Sequence, residues 1–187
     1  MSTEQINVLG FAGSLRKDSY NRALLREAIQ LSPEGLKITD FDLSEIPMFN
    51  EDVEKEGDPA AVTAFKNAIR ESKALLIVTP EYNSAIPGVL KNALDWASRG
   101  AKEAPLLKKP IAIMGATPGR AGTAQAQAQL RQTLVTTRSL VMVEPQVLIS
   151  EVHRKFDDQG NFTDEKTGQY IGRLLTSLQE WVNKLKS

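Results

Sequence analysis

The run Ala74-Leu75-Leu76-Ile77-Val78-Thr79 limits the fold of this 187-residue chain more than any other segment. Successive side chains of an extended strand point to opposite sheet faces. A run that is apolar throughout therefore needs both faces covered. Ile6-Asn7-Val8-Leu9-Gly10-Phe11-Ala12 reads the same way, as does 110–114. Residues 36–41 are less apolar and suit a strand nearer a sheet edge. Residues 141–143, extended by 147–149, give a fifth strand.

Amphipathic stretches lie between these runs. Leu24, Leu25, Ala28 and Ile29 share one face of a helix over 21–31. Val62, Phe65 and Ile69 do so in a second helix, with Asp58 as its N-cap and Pro59 in its first turn. A third helix spans 87–98. Residues 123–130 alternate Ala and Gln as a strand would, yet both are good helix formers, and a crossover there requires a helix. Tyr170, Ile171, Leu174, Leu175, Leu178, Trp181, Val182 and Leu185 mark a terminal amphipathic helix. Residues 42–58 read as an acidic connection and 150–164 as a polar loop. Strand and helix alternate five times, which predicts one α/β domain over residues 1–187. It is a doubly wound parallel sheet with helices on both faces.

Composition excludes several functions. Lys and Arg number 23, as do Asp and Glu, so there is no electrostatic reason to expect a nucleic-acid or anionic-membrane partner. Without cysteine there is no disulfide, thiolate nucleophile or zinc-thiolate site. No apolar stretch approaches the ~20 residues of a membrane span, and no basic-then-apolar leader is visible. A cytoplasmic location is the expectation.

In open α/β sheets, ligands bind beyond the carboxyl ends of the strands, where strand order reverses. Three loops occupy such positions. Gly13-Ser14-Leu15-Arg16-Lys17-Asp18-Ser19-Tyr20-Asn21 enters a helix N-terminus, where free N–H groups and the dipole favour an anion. Ser14, Ser19 and Asn21 add donors; Arg16 and Lys17 add charge. The set suits a phosphate monoester, although a plain capped helix start has the same composition. Gly10 and Gly13 are three apart, which excludes the dinucleotide fingerprint, and there is no P-loop sequence. Pro80-Glu81-Tyr82-Asn83-Ser84-Ala85-Ile86-Pro87-Gly88 offers a ring and polar groups to a flat heterocycle, or is a proline-stiffened turn. Gly115-Ala116-Thr117-Pro118-Gly119-Arg120-Ala121-Gly122 permits close backbone approach to a ligand, or is an ordinary glycine-rich turn.

Taken together, Gly13-Ser14-Leu15-Arg16 with Ser19-Tyr20-Asn21-Arg22, Pro80-Glu81-Tyr82-Asn83-Ser84, and Pro87-Gly88-Val89-Leu90-Lys91-Asn92-Ala93-Leu94-Asp95-Trp96 resemble the NADPH-dependent FMN reductase family. Its relatives include quinone, chromate and azo-dye reductases. The resemblance implies a flavodoxin-like five-stranded sheet of order 2-1-3-4-5 and one FMN per chain. NADPH or NADH is the implied co-substrate, and the acceptor a small molecule. By position, Ser14, Arg16, Ser19 and Asn21 would bind the phosphate, with Leu15 and Tyr20 in the same loop. Pro80, Glu81, Tyr82, Asn83 and Ser84 would line the isoalloxazine, partly through backbone groups, and Thr117 would sit beside it. The family also implies a homodimer or homotetramer, with the helix of Leu90, Leu94 and Trp96 as a contact. Gln125 to Gln129 departs from relatives with bulkier or charged residues there.

The flavin would supply the hydride chemistry, so no catalytic side chain is required. The expected scheme is ping-pong transfer of two electrons from NAD(P)H to a quinone or similar acceptor. Its rival is a flavodoxin-like electron carrier, which neutral charge disfavours. Arg99 could meet a nicotinamide phosphate or simply end a helix. His153 reads as surface, and Glu51, Asp52 and Glu54 as a solvated acidic run.

Overall fold

The computed structural model describes residues 5–157, 159 and 162–186. In chain order the elements are β1 (Ile6–Ala12), α1 (Tyr20–Gln30), β2 (Leu36–Asp40), α2 (Glu51–Glu56), α3 (Ala60–Glu71), β3 (Ala74–Val78) and α4 (Gly88–Ala97). There follow β4 (Pro110–Ala116), α5 (Ala124–Thr136), β5 (Leu140–Val141), β6 (Val147–Ile149) and α6 (Glu165–Lys186). Single 3-10 turns form at Ala101–Glu103 and Val152–Arg154.

The strands run parallel in the order β2-β1-β3-β4-β5, as expected, and β6 also pairs with β4. Alternate side chains feed two cores. Val8, Leu76, Val78, Ala112 and Met114 pack under α1 and α6. Leu9, Phe11, Leu75, Ile77, Ile111 and Ile113 pack under α3, α4 and α5. This two-sided burial is what the unbroken apolar run required. Strand β2, on the edge, buries only Leu36 and Ile38.

Several expectations need correction. The fifth strand is two segments. β5 pairs with Pro110 and Ile111, while β6 pairs with Met114 to Ala116. Between them Val143 stands 74% exposed, and Pro145 has no N–H to give a ladder. Asp58 does not cap α3. Pro59 takes the cap position without a side-chain bond, and the Asp58 carboxylate instead binds the buried Lys66 ammonium at 2.7 and 2.8 Å. Tyr170 and Leu185 lie on the exposed side of α6. Leu90, Leu94 and Trp96 are buried inside their own chain, so that face of α4 is core and not a surface for a partner. The expected loop 150–164 includes residues 158, 160 and 161, which lie outside the described residues.

The 42–58 connection is anchored. Leu43 and Ile46 enter the core. The Asn92 side chain donates to Pro47 O (2.9 Å) and accepts from Phe49 N (2.7 Å), while Trp96 Nε1 donates to Pro47 O (2.8 Å). The Phe49 ring meets Trp96 edge-on at 4.9 Å. Part of the acidic run forms α2, capped by Asn50 and drawn against Arg99.

Candidate active site

The first loop leaves β1 at its carboxyl end, where Gly13 N still donates to Val78 O (2.8 Å). Ser19 caps α1, its hydroxyl accepting from Asn21 N and Arg22 N. Between them the backbone N–H groups of Ser14, Leu15, Arg16, Lys17 and Asp18 make no hydrogen bond among the described residues. Ser14 and Ser19 are buried, whereas Leu15, Arg16 and Lys17 are exposed. Arg16 Nη2 donates to Asp18 O (2.7 Å), which folds the loop tip and holds the guanidinium above it. A run of unpaired N–H groups at a helix N-terminus, with two hydroxyls and an arginine, is a donor set fitted to a dianionic phosphate.

Asn21 lines the cleft between the loops and has a further task beyond the sequence expectation. It is 3% exposed, and its carboxamide is spent on Ala116: Nδ2 donates to Ala116 O and Oδ1 accepts from Ala116 N, both at 2.9 Å. Beyond Val78, strand β3 no longer offers β4 a neighbour; the last bond is Thr79 N to Met114 O. The Asn21 amide stands in for the missing peptide and ties the first loop to the third. Arg22, in the same motif, pairs with Asp42 (3.0 Å).

In the second loop Tyr82 and Ala85 exchange backbone bonds (3.1 and 3.0 Å), with Asn83 and Ser84 between them at φ 50° and 61°. These are the marks of a two-residue type I′ hairpin, a conformation asparagine tolerates better than most residues. The Tyr82 ring is 52% exposed. Both ends of the hairpin are held by α5: Glu81 Oε2 accepts from Ala126 N (2.9 Å), and Gln129 Oε1 accepts from Ile86 N (2.7 Å).

In the third loop Gly115 is required by a close approach. A Cβ there would collide with Thr79 O and the Thr123 hydroxyl. Thr117 Oγ1 accepts from Gly119 N (3.2 Å), while Thr117 N donates to Ile149 O, fixing the loop on β6.

The three loops enclose a cleft of about 280 Å³ lined by Arg16, Ser19, Tyr20, Asn21, Pro80, Glu81, Tyr82, Thr117, and also Ala116 and Pro118. Ser14, Leu15, Asn83 and Ser84 flank it in sequence without lining it. Ala116 and Pro118 were read only as part of the third loop, and Ala126 and Gln129 only within the segment 125–129, none of them as a site residue. Only the glycine pattern of the third loop hinted at the first two. Arg99 is not brought to the cleft. Its Nε binds both Glu54 oxygens at 2.9 Å, its Nη2 lies 3.7 Å from Glu51, and the guanidinium covers the Phe49 ring. The Glu54 hydrogen bonds, with the charges of both glutamates, raise its pKa. His153 is exposed in a 3-10 turn. A wider depression of about 460 Å³ lies between α4 and α5, with Lys91, Asp95, Ser98 and Thr133 in its lining.

A parallel sheet of order 2-1-3-4-5, with a donor-rich loop at the β1/β3 reversal and a tyrosine-bearing hairpin beside it, is the flavodoxin-like arrangement, in which ligands bind at that reversal. The profile of the NADPH-dependent FMN reductase family matches residues 6–154, and the chain belongs to that family. It is 50% identical over 184 residues to an NAD(P)H-dependent FMN reductase of Pseudomonas aeruginosa, covering 98% of this chain and 99% of that one. It is 36% identical over 187 residues to a quinone reductase of Escherichia coli K12, covering 98% and 99%. The solved structure of a flavoenzyme NAD(P)H:(acceptor) oxidoreductase from Paracoccus denitrificans superposes with a TM-score of 0.87 at 34% identity, over 96% of this chain and 98% of that one. The protein is therefore an oxidoreductase with FMN as cofactor and NAD(P)H as co-substrate. Among the described residues no helix is long and apolar enough to cross a membrane.

Proposed function

We propose that the chain is a cytoplasmic NAD(P)H-dependent quinone reductase that works by a ping-pong order, with chromate, azo dyes and free flavin as further acceptor classes. The observation that carries this reading is the cleft itself. It joins a donor-rich end, fitted to a phosphate, to a half-exposed aromatic wall. FMN, when bound, supplies the hydride chemistry. Ser14, Arg16, Ser19 and the N–H groups of residues 14–18 would hold its phosphate, with Leu15 and Tyr20 beside them. Pro80, Glu81, Tyr82, Asn83, Ser84 and Thr117 would border the ring. Asn21 serves the same site by holding the first and third loops together.

One mouth serves both small molecules, so the oxidised nicotinamide leaves before the acceptor enters. The scheme requires no acid or base side chain from the protein. Arg99, bound to Glu54 and Glu51, has a structural task first and a co-substrate contact only if that pairing opens. Association into a homodimer or homotetramer belongs to the same reading.

The reading is tested at two levels. Initial rates with NADPH and a benzoquinone both varied should give parallel double-reciprocal lines; intersecting lines would exclude the ping-pong order. Arg16→Ala should weaken FMN binding by ~1.5–3 kcal/mol, the range for hydrogen bonds to charged groups. Unchanged affinity would remove Arg16 from the phosphate site.

A further inference from the structure

We propose that Glu81 and Gln129 are positioning residues that seat the Tyr82–Ala85 hairpin on α5, so that α5, and not β3, sets where the wall of the cofactor cleft stands. The inference rests on the cleft being the flavin site.

Strand β3 ends at Val78, and Thr79 makes the last ladder bond to β4. Pro80 has no N–H to extend it. The hairpin that follows is closed only by the Tyr82–Ala85 pair. A two-residue turn fixes its own shape but not its place relative to the sheet. That place is set by the residues on either side of it. Glu81 accepts from Ala126 N, and Ile86 N donates to Gln129. Ala126 and Gln129 are three apart and so share one face of α5. The hairpin is thereby held at both ends by one rigid helix.

The helix gains from the same contact. Its cap residue, Thr123, sits at φ 67° and makes no side-chain cap bond; its hydroxyl accepts from Gln127 instead. The Glu81 carboxylate supplies the missing acceptor from outside the helix, at the dipole end that favours negative charge. Glu81 thus lines the cleft while its bonded oxygen is turned to α5. Gln129, outside the cleft, reaches the same loop from the other side.

The test uses the full chain freed of flavin, titrated with FMN and separately with riboflavin by fluorescence quenching. Glu81→Ala and Gln129→Ala should each raise the FMN Kd about tenfold, the size of one hydrogen bond of ~1.4 kcal/mol. Glu81→Gln keeps an acceptor for Ala126 N and should stay within about threefold of wild type. The riboflavin-to-FMN affinity ratio should keep its wild-type value in all three, because the phosphate loop is untouched. At saturating FMN, the visible circular dichroism of the bound flavin should change in both alanine variants. A lowered melting temperature with unchanged FMN Kd and unchanged flavin dichroism would show a merely structural cap and overturn the inference. If Glu81→Ala does not fold, Gln129→Ala decides alone. A wild-type chain that fails to quench FMN would overturn the cleft reading and the inference together. Wild-type binding with alanine variants of equal affinity would overturn the inference only.

Discussion

Replacing Asn21 by leucine removes both bonds to Ala116 while keeping a side chain of similar size. The site is 3% exposed, so water does not readily replace the lost partner. Ala116 N–H and C=O each lose a 2.9 Å bond, and β3 supplies no substitute at that level of the sheet. A buried backbone group left unpaired costs about 1–3 kcal/mol, so two give about 2–6, and partial hydration at the cleft edge brings the expected loss to about 3 kcal/mol. Against a total stability of about 5–15 kcal/mol, that is a large fraction. Urea unfolding of the flavin-free protein, with the slope held common, measures it. FMN affinity should fall in the same variant, because the first and third loops are no longer tied. Asn21→Asp makes a sharper control. The ionised side chain keeps the acceptor for Ala116 N but turns a charge on Ala116 O; protonation restores a donor. Its deficit relative to wild type should therefore shrink as pH falls. A loss in Asn21→Leu below about 0.5 kcal/mol would show that these bonds carry no net stability and refute the argument.

Three further outcomes are expected. Gly115→Ala should destabilise the fold by about 3 kcal/mol or prevent folding, since backbone oxygen and the start of α5 occupy the Cβ position; a melting temperature near wild type would contradict the close approach. Arg99→Ala should lower stability by about 1 kcal/mol through loss of the partly exposed Glu54 pair, with KM for NADPH within about twofold of wild type; a large KM rise would restore Arg99 as a co-substrate contact. Burial first, then the neighbouring charge of Lys73, pushes the Lys109 pKa down to about 8. The folded state therefore binds this proton less tightly than the unfolded chain does. The penalty is fully present below pH ~8 and is relieved as pH rises toward the unfolded value of ~10.4. Relative to Lys109→Met, wild type should gain on the order of 1–2 kcal/mol between about pH 7.5 and 10.5, after allowance for partial exposure; flat difference curves from urea melts would oppose this.

Much of the fold was legible because it rests on local periodicity. The apolar run at β3 required two covered faces, and the structure divides its residues between two cores. The helix expected over the ambiguous Ala-Gln stretch formed because a parallel crossover needs one. The errors arose where a distant partner outweighed a local preference. Asp58 looked like a cap until Lys66 claimed it. The acidic run of Glu51, Asp52 and Glu54 looked like a loop until Asn50 and Arg99 organised it as a helix, with Glu51 and Asp52 still exposed. The fifth strand looked continuous because β-propensity carries no information about which level of β4 each half will meet.

The site divides in the same way. The chain alone determined that a donor-rich glycine-serine loop enters α1, that a tyrosine-bearing loop follows the most buried strand, and that the two belong to one family of flavin enzymes. Those are properties of residue types in short spacings, and short spacings are covalent facts. Only the tertiary structure decided what each polar side chain does. Asn21, expected to meet phosphate, replaces a missing strand neighbour 95 residues away. Glu81 and Gln129 hold a hairpin to a helix some 45 residues further on. A hydrogen bond is satisfied by whichever partner the fold brings within 3 Å, and sequence distance does not rank the candidates.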